Sequence, residues 1–364
     1  MRRRDFIILS GGVAAWPLAG HVAKQATSIN APTIANVRTF SSLNTLFNVL
    51  AGSSTTSNHL AMHGASDQLG ATLSVYLGGV LQGTTTTDAS TGGWTYDLGV
   101  LADGSYTATA TVTSGGNTSP ASANFNFTIN PGLTGLPATV GNYISNTMHS
   151  FYWDGVQHNV INDSASTVAC VIASLHQLDI TLQPGDIWRS SEGGNDSNRS
   201  EVTMTSMSYG DGTTFNVTYE FLLSAASPVN DAMGTGSWFV IGQLGDPVAP
   251  VNYGGPIFAF SLGYPPSSTG DQFGVDAIVN GSITRPYTAP SNISRGVWHT
   301  VDIIMKPLNP GGFCHVWMNG VQIANINSGF YANSGYWWKV GLYRGGITDQ
   351  IQVGRYRNLL LRLT

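Results

Sequence analysis

The chain has 364 residues, with 44 Gly, 16 Pro, only 10% charged residues and a formal net charge of −5. A hydrophobic share of 42% excludes wholesale disorder, and the acidic balance excludes a basic face for nucleic acid. Glu occurs only as Glu192, Glu201 and Glu220, and Lys only as Lys24, Lys306 and Lys339. The residues that dress helix surfaces are nearly missing, which excludes a helical bundle or coiled coil. Ser, Thr, Asn and Gly take their place, as on exported all-β proteins, and the length suggests two domains.

In chain order, Met1-Arg2-Arg3-Arg4-Asp5 precedes an apolar run from Phe6 to Ala19, interrupted by Ser10-Gly11-Gly12 and Pro17. This resembles a twin-arginine export signal over residues 1–27. The run is too short and broken to span a bilayer, so a secreted or periplasmic bacterial protein without a membrane span is expected. Residues 31–131 then alternate with period two between Gly, Asp and Asn turns, as in Leu73-Ser74-Val75-Tyr76-Leu77 and Phe125-Asn126-Phe127. That pattern indicates an antiparallel sandwich. Gly92-Gly93-Trp94, Leu101-Ala102-Asp103-Gly104-Ser105-Tyr106 and Gly116-Asn117-Thr118-Ser119 make the segment resemble bacterial Ig-like repeats. Lacking any catalytic constellation, it is expected to serve spacing or attachment and to be dispensable for catalysis. After a linker from Asn130 to Pro137, residues 138–364 again read as strands and turns, some apolar on both faces, such as Trp238-Phe239-Val240-Ile241. This suggests a second, larger sandwich of jelly-roll type.

Five cations, Lys339, Arg344, Arg355, Arg357 and Arg362, crowd the last strands beside one acid, Asp349. They read either as solvated strand edges or as a cationic groove for an anionic substrate. The motifs favour the second reading. Asn198-Arg199-Ser200-Glu201-Val202, Ile241-Gly242-Gln243-Leu244-Gly245 and Tyr336-Trp337-Trp338-Lys339-Val340-Gly341-Leu342-Tyr343-Arg344 occur in that order. Together they resemble the jelly-roll, concanavalin-like polysaccharide lyases, namely the glucuronan lyase and heparin lyase I group and, more distantly, the alginate lyases.

The resemblance implies β-elimination beside a uronic acid. The C5 proton is removed next to a carboxylate, and the 4-linked oxygen leaves. Fixed donors must neutralise the developing enolate, and an acid and a base must reach C5–H and the leaving oxygen. Side chains alternate along a strand, so Trp337, Lys339, Gly341 and Tyr343 share one face, as do Arg199 and Glu201. Tyr343 is assigned to proton transfer; a free tyrosine titrates near ~10, and Lys339 is expected to favour its phenolate. Gln243 and Arg199 are assigned to the substrate carboxylate, with Glu201 orienting Arg199. Glu201, Arg344 and Trp337 complete the substrate-binding set, although a regular strand turns Arg344 to the opposite face. Gly341 is expected to leave room for a sugar ring.

Alginate lyases carry His two residues beyond the Gln, where this chain has Gly245. No motif assigns His149, His158, His176, His299 or His315 to the site. A hydrolase of similar architecture needs paired carboxylates, and its Glu-x-Asp-x-x-Glu strand is missing. The rival reading is a noncatalytic, lectin-like binding protein using Trp298 or Trp317 to stack on sugars. The expected partner is an anionic polysaccharide, and the expected state is a monomer. No cofactor is required; calcium is left open, with the loop from Gly193 to Asn198 as its candidate. Cys170 and Cys314 read equally as a disulfide or as two buried thiols.

Overall fold

The computed structural model describes residues 28–39, 47–135, 150–161, 170–184, 186, 197–204, 212–229, 239–245, 256–263, 270–308, 310–330, 337–345 and 350–363. The export-signal segment and the calcium-candidate residues 193–196 lie outside them, as does His149. The described residues are all-β, as the composition indicated, and contain no helix long and apolar enough to cross a membrane.

The N-terminal strands are β1 (Thr33–Thr39), β2 (Asn48–Val49), β3 (Ser54–Thr55), β4 (His59–Ala65) and β5 (Thr72–Leu77). They continue with β6 (Val80–Thr86), β7 (Gly93–Val100), β8 (Gly104–Ser114), β9 (Asn117–Thr118) and β10 (Phe125–Ile129). One sheet runs β2-β1-β4-β7 and the other β3-β10-β8-β5-β6, with β9 on β8. Strict alternation lets Leu60 and Met62 of the first meet Leu73, Val75, Ala108 and Phe127 of the second in one core.

The C-terminal strands are β11 (Leu133–Thr134), β12 (Ser150–Trp153), β13 (Val156–Ile161), β14 (Cys170–Ser174), β15 (Gln177–Leu182) and β16 (Ser197–Met204). Next come β17 (Phe215–Leu223), β18 (Phe239–Gly245), β19 (Phe258–Leu262), β20 (Gln272–Val279) and β21 (Ser282–Asn292). The last are β22 (His299–Lys306), β23 (Phe313–Met318), β24 (Val321–Ile326), β25 (Trp337–Gly345) and β26 (Gln352–Leu363). A front sheet of nine strands runs β11-β12-β13-β16-β25-β18-β19-β20-β21. A back sheet of seven runs β14-β15-β26-β17-β22-β23-β24. Phe258, Phe260, Phe273 and Trp338 from the front meet Tyr219, Phe221 and Tyr356 from the back. This aromatic layer is the hydrophobic payload that holds the sheets together.

Both cysteines are buried free thiols. They sit on β14 and β23, near opposite edges of the back sheet and five strand positions apart, roughly 24 Å at ordinary strand spacing. Burial, with the charge of Asp179, pushes the Cys170 thiol up to about 12, and burial pushes Cys314 up as well.

The back sheet's outward face should be wet, yet Asn216, Glu220, Asp302 and Asn358 there are buried. The N-terminal sandwich covers it. His59 Nδ1 lies 3.1 Å from Glu220 Oε2, Asn58 N donates to Asn358 Oδ1 at 3.1 Å, and Thr56 donates to Asp154 at 2.5 Å. His176 contacts Asp103 at 2.6 Å and the Thr56 carbonyl at 2.9 Å.

This docking corrects the expected cationic groove. Arg355, Arg357 and Arg362 belong to β26 in the back sheet, where they pair with Asp179, Glu220 and Asp154 respectively. Only Lys339 of the five C-terminal cations reaches the outward face of the front sheet.

Candidate active site

The front sheet's inner face is core, so its other face is where polar residues can gather. In β16, Val202 and Met204 enter the core, which turns Arg199, Glu201 and Thr203 outward. In β25, Trp338, Val340 and Leu342 enter it, which turns Trp337, Lys339, Gly341 and Tyr343 outward. The antiparallel register sets Arg199 opposite Tyr343, Glu201 opposite Gly341 and Thr203 opposite Lys339.

Gln243 reaches the same face through an irregularity. By simple alternation it would share the core side with Phe239 and Ile241. A register shift between Val240 and Gly242 interrupts that parity. Ile241 is buried in the core, and a Cβ on Gly242 would meet Tyr219 Oη at 2.8 Å, so both point inward. Gln243 therefore turns outward beside its register partner Lys339. Tyr356 supports this point from behind: its hydroxyl lies 2.8 Å from the Gly341 carbonyl and 3.0 Å from the Ile241 carbonyl.

Glu201 is the hub of the cluster. Its Oε2 pairs with Arg199 Nε at 3.0 Å, and its Oε1 accepts from Gln243 Nε2 at 2.7 Å. The Arg199 guanidinium carbon lies 3.6 Å from the Tyr343 ring centroid, a stacking distance for a cation on an aromatic face. Arg199 and Glu201 are only 3% and 1% exposed, so burial strengthens their interaction and makes it costly to leave unmatched.

Gly341 has a different purpose from the one expected. A Cβ there would lie 2.5 Å from Glu201 Cα and 2.5 Å from Ser200 O, and its φ of +145° disfavours other residues. The glycine lets β16 approach and seats Glu201; it does not open space for a sugar ring. At Gly245, where alginate lyases place His, a Cβ would meet Trp337 Nε1 at 3.0 Å and Lys339 Cε at 3.5 Å. The indole and the lysine stem fill that volume, and Lys339 Nζ is 5.7 Å from the Trp337 ring.

Arg344 must be reassigned. It follows the inward parity of β25, donates to Asn198 Oδ1 at 3.3 Å and to the Gln350 carbonyl at 2.7 Å, and ties strand ends together. Among the described histidines, none joins the cluster. His158 is buried against Phe151 and Trp153, where burial holds its pKa down to about 4. His176 binds the N-terminal sandwich, while His299 and His315 lie on β22 and β23 of the back sheet. The tryptophans considered for sugar stacking also lie elsewhere. Trp298 is covered by Arg357 at 4.0 Å, and Trp317 meets His315 edge-on. What the sequence motifs did not reveal is that Glu201 anchors Gln243 as well as Arg199, because the β18 irregularity leaves no local pattern.

Among solved structures, the chain is similar to the marine PL7 alginate lyase AlyA1 from Zobellia galactanivorans, with 14% identity and a TM-score of 0.35 over 65% of this chain and 97% of that one. It is similar to alginate lyase PA1167 from Pseudomonas aeruginosa, with 19% identity and a TM-score of 0.33 over 51% and 82%. It is also similar to a GH131 β-glucanase catalytic domain from Podospora anserina, with 14% identity and a TM-score of 0.37 over 61% and 85%. No curated protein sequence matches. The Polysaccharide lyase family matches residues 146–354, which include every residue of the outward cluster. The match spans more than half of the chain, which belongs to the polysaccharide lyase family and is a lyase acting on polysaccharides.

Proposed function

We propose that this lyase cleaves a uronic-acid-containing polysaccharide by β-elimination, glucuronan-like polymers first and alginate or glycosaminoglycans next, and that it acts outside the cytoplasm. The observation that carries the reading is the bridging of Arg199 and Gln243 by Glu201 beside Tyr343. Two donors fixed by one buried carboxylate are suited to a uronate carboxylate, whose charge spreads when C5 loses its proton. Holding them in advance spares reorganisation during the reaction.

In the proposed step the Tyr343 oxygen takes the C5 proton. The electron pair forms the C4–C5 double bond, the C4–O bond breaks, and the leaving oxygen takes up a proton, from Tyr343 again or from water. Arg199 and Gln243 hold the carboxylate throughout. Lys339, beside Gln243, adds positive charge for an anionic chain. Trp337 presents its indole at the end of the same strand for a ring to pack on.

The test is Tyr343→Phe, which keeps the ring beneath Arg199 and removes only the hydroxyl. On a polymer that the wild type converts to an unsaturated uronate, followed by ultraviolet absorbance, the rate should fall by ~10²–10⁴-fold. An unchanged rate in a folded variant rejects Tyr343 as the proton carrier.

A further inference from the structure

The outward face of the front sheet continues past Gln243 to a second polar constellation that no motif marks. Gln243 stands opposite Ala259 on β19, and Ala259 opposite Asp276 on β20. Asp276 is therefore two strand spacings from Gln243, about 10 Å along the same face. Arg285 of β21 forms a two-pronged pair with it, Nε to Oδ1 at 2.7 Å and Nη2 to Oδ2 at 2.9 Å. Ser261 donates to Asp276 Oδ2 at 2.5 Å and accepts from Arg285, closing a triangle of hydrogen bonds.

Several features of the sequence build this group. The β20–β21 register shifts between Val275 and Ala277, placing an extra residue near Arg285-Pro286 on β21. Such a bulge re-aims a side chain, and it tolerates Pro. Gly274 makes room: a Cβ there would lie 2.7 Å from Arg285 Cζ. The guanidinium thus lies over Gly274, flat on the outward face. Between it and the candidate active site lie the small Ala259 and the side chain of Val240, a low floor beside Tyr343. The side chains of Asp276 and Arg285 keep 21% and 12% of their surface exposed.

We infer that Ser261, Asp276 and Arg285 form a secondary sugar subsite, which binds the hydroxyls of a ring flanking the one that is cleaved. The chemistry selects hydroxyls over a carboxylate. Asp276 neutralises Arg285, and a second carboxylate brought to this pair would face like charge. The partly exposed carboxylate of Asp276 is held in place by Arg285 and Ser261, and a charged acceptor fixed in this way is suited to a ring hydroxyl. The subsite thus reads polymer length and ring hydroxyls, while Arg199 and Gln243 read the uronate. It rests on the lyase reading above for its orientation to the cleaved bond.

The test uses the full chain and two variants, Asp276→Asn and Ser261→Ala, the second removing only one hydroxyl. Elimination is measured on a polymer that the wild type cleaves and on the shortest oligosaccharide it accepts, with uronate-polymer retention in native gels as a readout independent of turnover. The expected result is a KM on polymer raised about tenfold for Asp276→Asn, an unchanged kcat, and little change on the shortest substrate. Ser261→Ala should move in the same direction by less. Equal loss on both substrates, or a loss of kcat alone, makes the triangle a structural brace and overturns the inference; so does unchanged KM in both variants. If the wild type cleaves no uronate polymer, the lyase-substrate reading fails on that result alone. Weaker retention of the variants would still support the subsite, and retention equal to wild type would overturn it.

Discussion

At the scale of single residues, the site depends most on an atom that is not there. Gly341 admits Glu201, and Glu201 in turn holds Arg199 and Gln243. The obstructing atoms around a Cβ at 341 belong mainly to the β16 backbone, so no side-chain rotation relieves the contact. Gly341→Ala should therefore push β16 and β25 apart at this point. The strain expected at such a backbone position is about 1–3 kcal/mol. A displacement of the donors by even a fraction of the site's width lowers the rate by up to ~10²-fold. Thermal unfolding and elimination rates on the same sample check both parts. A variant with wild-type stability and wild-type rate would show that the close approach at Gly341 is unnecessary.

At the scale of strands, what could be read in the sequence depended on regular alternation. The β25 motif alternates without interruption, so the common face of Trp337, Lys339 and Tyr343 and the opposite facing of Arg344 were legible. The Arg199–Glu201 pair was legible for the same reason. The parity of Gln243 was not, because a register shift is a property of two strands and leaves no mark in one. Nor could sequence say that β26 joins the back sheet and withdraws three arginines from the site. Tyr356 belongs to this hidden layer. It crosses the core from β26 and serves the carbonyls of Ile241 on β18 and Gly341 on β25. Burial pushes its phenol well above the ordinary value, with the charges of Tyr219 and Glu201 adding to the effect, so it stays a neutral donor. Tyr356→Phe should leave these carbonyls without that donor, at about 1–3 kcal/mol. The rate should fall while KM changes little, since no substrate group is touched. A normal rate with reduced stability would confine Tyr356 to a purely structural role.

At the scale of the whole molecule, the two sandwiches are coupled more tightly than a spacer requires. The active-site cluster lies on the front sheet and the N-terminal sandwich on the back one, so docking leaves the cluster uncovered from that side. The lack of a catalytic constellation in residues 31–131 agrees with that placement, but independence in folding does not follow. Glu220, on β17 of the back sheet, is 2% exposed and receives Arg357 Nη2 at 2.6 Å, Asn358 Nδ2 at 2.8 Å and His59 from the other sandwich. Burial alone raises a carboxyl pKa; here hydrogen bonds from His59 and Arg357, with their charges, outweigh it and leave Glu220 below its ordinary 4.5. A carboxyl lowered in the folded state contributes stability that is fully present above the unfolded pKa. That contribution is lost as pH falls through the folded value. Glu220→Gln removes the charge while keeping the shape, and breaking a buried pair in this way costs on the order of 3 kcal/mol near neutral pH. The variant should therefore unfold at a lower temperature than wild type at pH 7, and the gap should narrow as pH drops below about 4.5. Elimination below the unfolding temperature should be unaffected, because the front sheet is not altered. Melting curves of both full-length proteins across that pH range decide it: a gap that stays constant with pH would show that the Glu220 charge does not contribute to holding the sandwiches together.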